Sequence, residues 1–275
     1  TARVIVNRAW HHHFGTGIVA TPGNFGLNGG PPSHPRLLDW LSVDFVEHGW
    51  SLKHLHRRIM LSTTYRQASY RDPADEGRAV AVDPANRLLW RANLRRIEAE
   101  IVRDSVLAVS GQLDPTPGGQ PVMLTTPTDG LSTVKPGPMP TSVNRRSVYL
   151  LARRGYPLRF LELFDSPIVP VNCTKRPQSA TVLQSLALLN SQFVVDQAAA
   201  MADRVRQQAP DDSSVQISWA YRLSLAREPA AEELAACRQF LVDQAADAIE
   251  CNFHDTHYSS PSGVPLTTYV LSGWL

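Results

Sequence analysis

The feature that most constrains the fold of this chain is a segment rich in proline and glycine near its middle, residues 114–144. Seven prolines and four glycines fall within these 31 residues, a composition that excludes both a long helix and a central β-strand. A loop of this length within a folded domain is usually functional or mobile. The segment therefore predicts an irregular insert between two regions with helical patterns.

Apolar residues recur at helical spacing before and after this insert, and Gly, Pro and capping residues bound the patterns. Ser33 and Ser51 are the predicted N-caps of the second and third helices. The predicted helices span residues 1–14, 35–48, 51–67, 93–110, 179–208 (as one helix or two), 213–227 and 231–249, with short helices within 72–90 and from Pro157. On the 93–110 helix the predicted buried face carries Leu94, Ile97, Ile101, Ser105 and Ala108.

The segment RRSVYLLARR, residues 145–154, is β-branched and aromatic at its centre and predicts a strand. The predicted fold class is mainly α: an irregular helical domain with a long Pro/Gly-rich insert and a minor β element. We expect one integrated domain built from an N-terminal helical part (1–113), the insert with its short strand (114–178) and a C-terminal helical part (179–250). Residues 251–275 are polar and aperiodic, and we expect an atypical, disordered or poorly packed tail there.

Composition excludes some classes of protein. The 27 basic and 25 acidic side chains give a formal charge of +2, whereas a nucleic-acid-binding domain normally carries a concentrated basic face. No apolar run approaches the roughly 18 residues that cross a bilayer. We therefore expect no nucleic-acid partner and no membrane span in this segment. Because a helical pattern is already under way at Thr1, we also expect the chain to be an internal piece of a longer protein.

The cysteines give little evidence of function. Cys173, Cys237 and Cys251 form no CxxC pair and no CxxCH haem-attachment motif. A dinucleotide-binding GxGxxG loop and a GxSxG nucleophile motif are also absent from the sequence. Cys173 lies close to Lys175 and is a candidate nucleophile, but the sequence places no general base beside it. A structural role is the preferred interpretation of this residue.

A run of three histidines, residues 11–13, raises the hypothesis of a metal site. Consecutive residues on a helix point about 100° apart, so these three cannot converge on one ion. Zinc-binding helices place histidines at positions i and i+4, a spacing that the run lacks. The residues available for a site across elements are His12, His13, His34, His56 and Asp39. The preferred interpretation is that these histidines pack and form hydrogen bonds near a helix end.

Two arginine pairs, residues 145–146 and 153–154, flank the predicted strand. Within each pair the side chains face opposite sides of a strand. We expect one arginine of each pair to form an ion pair with a carboxylate of the 93–110 helix, and the candidates are Glu98, Glu100 and Asp104. The alternative is that the arginines bind an acidic glycan or the carboxylates of a partner.

One hypothesis for the four tryptophans at positions 10, 40, 50 and 90 is that they form a platform on which sugar rings stack. Their amphipathic placement instead predicts Trp40 and Trp90 in the core. Trp50 directly follows Gly49 and is the best candidate for partial exposure.

Several long motifs carry a family resemblance. They are NRAWHHHFGTGIVATPGNFG (7–26), PPSHPRLLDWLSVDFVEHGWSLKHLHRRIMLSTTYRQAS (31–69), DPANRLLWRANLRRIEAE (83–100), RRSVYLLARR (145–154), FLELFDSP (160–167), LQSLALLNSQFV (183–194) and WAYRLSLAREPAAEEL (219–234). Over roughly residues 3–245 the chain resembles a planctomycete-specific domain of unknown function. That domain lies toward the C-terminal end of large exported proteins, which often also carry a planctomycete cytochrome c module.

Two features depart from the family pattern. Ala230 stands where the family usually has a Thr, Ser or Asp that caps the next helix, and the lack of such a cap costs about 1 kcal/mol. The last 25 residues do not resemble the helix with which the family normally ends.

The resemblance implies a periplasmic, extracellular or cell-surface location, with haem c in other modules of the full-length protein. This chain has no haem-attachment motif, and we expect no cofactor in it. We expect a non-catalytic structural or binding module of a larger exported protein. Its expected partners are other domains of the same polypeptide, a polysaccharide or an extracellular protein. The alternative is part of an exported hydrolase or redox enzyme with a site near residues 8–39. The candidate ligand-binding residues are Arg8, Trp10, His12, His13, His34, Asp39, Arg145 and Arg154, and no metal site is expected.

Overall fold

The structure is a computed structural model of the chain. It describes residues 1–125, 132–134, 143–152, 157–167, 173–176 and 179–254. Helices predominate in these ranges, and the sheet that they contain has two short strands. The predicted mainly α fold is confirmed. Among the helices of these ranges, none combines the length and the apolar character needed to cross a membrane.

Contacts between Cα atoms divide the chain into two compact units. The first is Thr1–Arg96 with Asn172–Lys175, and the second is Ile97–Val171 with Arg176–Leu275. The boundary at Arg96 precedes a helix that the sequence-based division assigned to its N-terminal part, residues 1–113. The division into four segments stays a prediction.

The described part of the first unit contains α1 (Ala2–Phe14), α2 (Pro35–Glu47), α3 (Leu52–Met60), α4 (Thr63–Arg66) and α5 (Pro73–Val82). Ser51 caps α3 as predicted, because its Oγ accepts a hydrogen bond from the His54 amide at 3.2 Å. The predicted cap at Ser33 is wrong, since its hydroxyl donates to the Ile18 carbonyl at 3.2 Å instead. The single helix predicted over 51–67 is interrupted at Ser62, whose Oγ caps α4.

The core of the first unit forms where the apolar faces of α1, α2 and α3 meet. The central buried side chains are Val6, Trp10, Phe14, Leu38, Leu41, Phe45, Leu55 and Ile59. Leu38, Leu41 and Phe45 lie on the face that the sequence pattern predicted for α2. Burial of such side chains is the main favourable contribution to folding.

The described part of the second unit contains α6 (Ala99–Ser110), a 3-10 helix (Ser147–Tyr149), α7 (Arg159–Leu163), α8 (Val182–Asn190), α9 (Gln192–Gln208), α10 (Ser213–Leu225) and α11 (Ala231–His254). Strands β1 (Leu124–Thr125) and β2 (Thr133–Val134) pair antiparallel, with Leu124 opposite Val134. Of the two alternatives predicted for 179–208, the structure has two abutting helices, which meet at Ser191.

The buried face predicted for α6 is wrong. The helix begins at Ala99 rather than at residue 93, and the predicted residues are exposed, Leu94 and Ile101 among them. The buried positions are Ala99, Arg103, Leu107 and Ser110. Arg103 faces inward because its guanidinium donates hydrogen bonds to an irregular segment. The acceptors are the carbonyls of Val143 and Arg145, both at 2.9 Å.

The strand predicted over 145–154 is also wrong within the described residues. The chain forms the 3-10 helix there, flanked by isolated bridges at Arg145 and Leu150. The amide of Ser147 donates to Asp104 Oδ1 of α6 at 2.7 Å. In a β-strand this amide would instead donate to a carbonyl of a neighbouring strand. Residues 153–156 lie outside the described residues.

Candidate functional site

The turn between α2 and α3 positions the site of the first unit. Gly49 and Trp50 both adopt positive φ angles, 66° and 60°, and the Trp50 amide donates to the Phe45 carbonyl at 2.9 Å. A left-handed conformation costs about 1–2 kcal/mol for a residue with a side chain. The reversal brings the first turn of α3 back beside the end of α2.

This turn assembles a cluster of Asp44, His48, His54 and Arg58. The Asp44 side chain is 8% exposed, and His54 Nε2 lies 2.9 Å from its Oδ2. Arg58 donates to its Oδ1 at 3.3 Å. The rings of His48 and His54 are stacked with centroids 3.8 Å apart and planes within 10°.

Hydrogen bonds set the charge and the tautomers of this cluster. Burial by itself raises the pKa of the Asp44 carboxyl, but hydrogen bonds from His54 and Arg58 outweigh burial, and the net pKa is lowered. His48 Nδ1 lies 2.8 Å from the Asp44 carbonyl. Since a carbonyl oxygen only accepts, Nδ1 of His48 carries the proton. Asp44 is therefore an ionised, buried carboxylate surrounded by basic side chains.

A cavity of about 510 Å³ opens beside this cluster. Its apolar lining consists of Trp10, Leu37, Trp40, Leu41, Ile59 and Leu61. Its polar lining consists of His54, Arg57, Arg58, Ser62 and Thr64. Every ionisable side chain in the described lining is basic, and two of the three, His54 and Arg58, also contact the Asp44 carboxylate.

The tryptophans of the cavity differ in exposure. Trp10 is buried, while Trp40 is 51% exposed, so the predicted core position of Trp40 is wrong. The Arg58 guanidinium lies 5.5 Å from the centre of the Trp40 ring, within the range of a cation–π contact. Trp90 is half-buried and donates to the Asp83 carbonyl at 2.9 Å. The predicted partial exposure of Trp50 is confirmed at 45%.

A second histidine pair joins α1 to α3. His13 Nε2 lies 2.8 Å from His56 Nδ1, and the Tyr65 ring packs edge-on against His13 with centroids 5.2 Å apart. Burial, with the nearby His56, Arg95 and His12, lowers the pKa of His13. His13 and His56 are two of the residues that the sequence offered for a site across elements, and the structure brings these two together.

The other candidate residues near the start of the chain lie in separate places. Arg8 and His12 are exposed on α1. Asp39 forms an ion pair with Arg3 at 2.5 Å, and His34 Nδ1 lies 2.9 Å from Ser33 Oγ. Of the eight candidates, Trp10 is the one in the described cavity lining.

The remaining candidates lie in the insert. Arg145 is buried, donates to the carbonyls of Thr116, Gly118 and Gln120 and stacks 4.0 Å from the centre of the Tyr149 ring. Its described hydrogen bonds are to the backbone rather than to α6 carboxylates. Arg154 lies outside the described residues. Glu98, which precedes α6, and Glu100 of α6 instead form ion pairs with Arg176, at 3.3 and 2.6 Å.

Sequence analysis missed the Asp44, His48 and His54 group. One ligand atom from each of the three lies within 4.8 Å of the other two, so the group is able to hold a metal ion. One signal was available, because Asp44 and His48 are spaced i and i+4 at the end of a predicted helix.

Cys173, the nucleophile candidate, is exposed, and its thiol donates to the Lys175 carbonyl at 3.2 Å. Cys237 is buried, with its Sγ 3.8 Å from the Tyr221 hydroxyl. Neither thiol contacts a histidine in the hydrogen bonds that the structure describes.

Comparison with known proteins places the chain in a family but not in a functional class. No curated protein matches the chain significantly, and no solved structure does so either. The model of the family described as "Protein of unknown function (DUF1553)" matches residues 1–241. Since this match covers most of the 275 residues, the chain belongs to the DUF1553 family.

Proposed function

We propose that this chain is a non-catalytic binding module of a larger exported protein and that its cavity binds an acidic polysaccharide. The observation that carries the proposal is the half-exposed Trp40 ring in an open cavity whose ionisable side chains are all basic among the residues described. The family resemblance adds three expectations: a planctomycete source, a periplasmic or extracellular location, and haem c in other modules of the full-length protein.

The chemistry of a uronic acid sugar matches this cavity. An exposed indole offers a flat apolar surface against which the C–H face of a sugar ring packs. Arg57 is exposed and lines the cavity, and its planar guanidinium suits paired contacts with a carboxylate. The hydroxyls of Ser62 and Thr64 lie in the same lining.

The test is calorimetric titration with a uronic acid oligomer and with a neutral oligomer of equal length, both in buffer that contains EDTA. We expect the acidic oligomer to bind more tightly and its affinity to fall as salt rises. Trp40→Ala should cost about 1–2 kcal/mol, roughly five- to thirtyfold in affinity.

Charge variants provide the matched control. Arg57→Gln should weaken binding and reduce its salt dependence. Arg238→Gln removes the same charge from an exposed position on α11 and should leave affinity unchanged. Equal affinity for the two oligomers, or unchanged affinity in Trp40→Ala, would refute the proposal.

The Asp44–His54 hydrogen bond favours one alternative, an exported hydrolase. A buried carboxylate that orients a histidine in a cavity wall is a common general-base arrangement. Under this alternative the acidic oligomer would be shortened over time, and His54→Gln would abolish that cleavage. Mass spectrometry of the incubated oligomer distinguishes a hydrolase from a binding module.

A further inference from the structure

We infer that Asp44, His48 and His54 form a binding site for one divalent transition-metal ion, with zinc as the ion that fits best. Two imidazoles and a carboxylate are ligands that zinc accepts in open, three-residue sites. The inference does not depend on the proposed polysaccharide ligand. It revises the expectation that the chain has no metal site.

The separations of the ligand atoms support this site. Ligands at 2.0–2.1 Å from a tetrahedral ion are about 3.4 Å from each other. His48 Nδ1 lies 3.4 Å from Asp44 Oδ1, and His54 Nε2 lies 2.9 Å from Asp44 Oδ2. One ligand atom from each of the three residues lies within 4.8 Å of the other two, so small side-chain rotations bring all three to the distances that one ion requires.

Ion binding requires a small rearrangement of the imidazoles. The stacked rings are nearly parallel, whereas the planes of two imidazoles that share an ion converge on it. The His48 side chain is 46% exposed, against 26% for His54, so His48 is the ring free to tilt. It gives up its hydrogen bond to the Asp44 carbonyl when it does so, and the proton on Nδ1 moves to Nε2, because only an unprotonated ring nitrogen binds a metal ion.

The surroundings make this an open site. His54 also lines the cavity, so a coordination position left by the three residues is accessible to water or a ligand, as in open zinc sites. The Arg58 guanidinium next to Asp44 Oδ1 opposes a second positive charge. Affinity should therefore be lower than in a closed structural zinc site.

The experiment is a titration of untagged, EDTA-stripped protein with Zn²⁺ in a calorimeter, without saccharide. We expect one Zn²⁺ per chain and no comparable binding of Mg²⁺, which prefers oxygen ligands. His48→Gln and His54→Gln should each weaken binding at least about tenfold. If His54→Gln disturbs folding, His48→Gln decides the matter because its ring is exposed.

His56→Gln is the matched control. His56 lies on the same helix and its ring also contacts another histidine, at 2.8 Å, but it is outside the described Asp44 group. Unchanged Zn²⁺ affinity in this variant supports the inference. Absence of one-to-one binding, unchanged affinity in His48→Gln, or equal losses in His56→Gln and His48→Gln would overturn it.

Failure of this inference is distinguishable from failure of the proposed function. Zn²⁺ binding is measured without saccharide, and saccharide binding is measured in EDTA. Loss of Zn²⁺ binding in His48→Gln should leave the affinity for the acidic oligomer in EDTA unchanged, because His48 is not among the described residues that line the cavity.

Discussion

Asn7 fixes the course of the loop that follows α1. Its side chain is completely buried, with Nδ2 donating to the Val19 carbonyl at 3.0 Å and Oδ1 accepting from the Val19 amide at 2.8 Å. Both polar ends of the amide are thus paired with one backbone residue, as a buried polar group requires. The loop approaches the helix so closely that Gly17 lies against the Asn7 amide.

This close approach makes Gly17 sensitive to substitution. In Gly17→Ala the new Cβ would lie 2.6 Å from the Val19 carbonyl oxygen and 2.7 Å from Asn7 Nδ2. We expect the free energy of unfolding to fall by about 1–3 kcal/mol, as for other overpacked sites. Urea denaturation measures this change.

Gly77→Ala is the control for this prediction. A Cβ at Gly77 in α5 meets nothing within 4 Å, and alanine favours a helix over glycine by about 1 kcal/mol. This variant should be as stable as the wild type or slightly more so. If both variants have the same stability, the close approach at Gly17 does not hold the loop.

At the level of elements, α6 is organised around an arginine rather than around an apolar stripe. Arg103 is buried, and burial lowers the pKa of its guanidinium. It donates to two carbonyls and to Ser147 Oγ, and it lies 5.7 Å from the centre of the Phe193 ring. These contacts supply donors to the carbonyls of an irregular segment, which compensates for burial of the charge.

Replacement of this arginine should destabilise the second unit. Arg103→Met keeps much of the apolar volume but leaves the Val143 and Arg145 carbonyls without this donor, at a cost of about 2–5 kcal/mol. Urea denaturation gives the free energy, and amide exchange at Ser147 reports the local loss. Arg206→Met, which removes an exposed ion pair with Asp203, should change stability by less than about 1 kcal/mol. Equal effects of the two variants would contradict the assigned role of Arg103.

At the scale of the whole molecule, three of the groups with shifted pKa values, Tyr221, Glu233 and His13, affect stability in different pH ranges. Burial raises the pKa of Tyr221 to about 12, so its contribution to stability is lost only as pH rises from 10 towards 12. Hydrogen bonds from Arg227 and the Ala230 amide lower the pKa of Glu233 to about 2. Its contribution is present above pH 4.5 and is lost as pH falls towards 2. Neither group changes stability near neutral pH.

His13 also has a shifted pKa. Its pKa is lowered from 6.5 by burial and by the nearby His56, Arg95 and His12. The folded state therefore binds fewer protons than the unfolded state, and stability falls as pH drops through 6.5 and below. When both nitrogens of each ring carry protons, neither His13 nor His56 has an acceptor nitrogen, and the hydrogen bond between the two rings is lost. We expect the melting temperature to fall between pH 7.5 and pH 5.5.

Two variants distinguish the contribution of His13 to this pH dependence from that of His12. His13→Gln should reduce the pH dependence of the melting temperature, whereas His12→Gln, at an exposed position on the same helix, should retain most of it. Identical pH dependence in wild type and His13→Gln would show that other groups control stability in this range.

The sequence by itself determined the class of fold and the bounds of the first two helices. The bounds of α1 and α2, the cap at Ser51 and the exposure of Trp50 follow from residues a few positions apart, because helical periodicity and capping are local effects. The mainly α composition follows from the sum of these local preferences.

Tertiary structure decided which polar residues are buried and which ones meet. Arg103 and Arg145 are 42 positions apart, and His13 and His56 are 43 apart, so no local pattern pairs them. The cluster of Asp44, His48 and His54 depends on two consecutive positive φ angles in one turn. A buried polar group is stable only where distant partners complete its hydrogen bonds, and the chain must fold before those partners are defined.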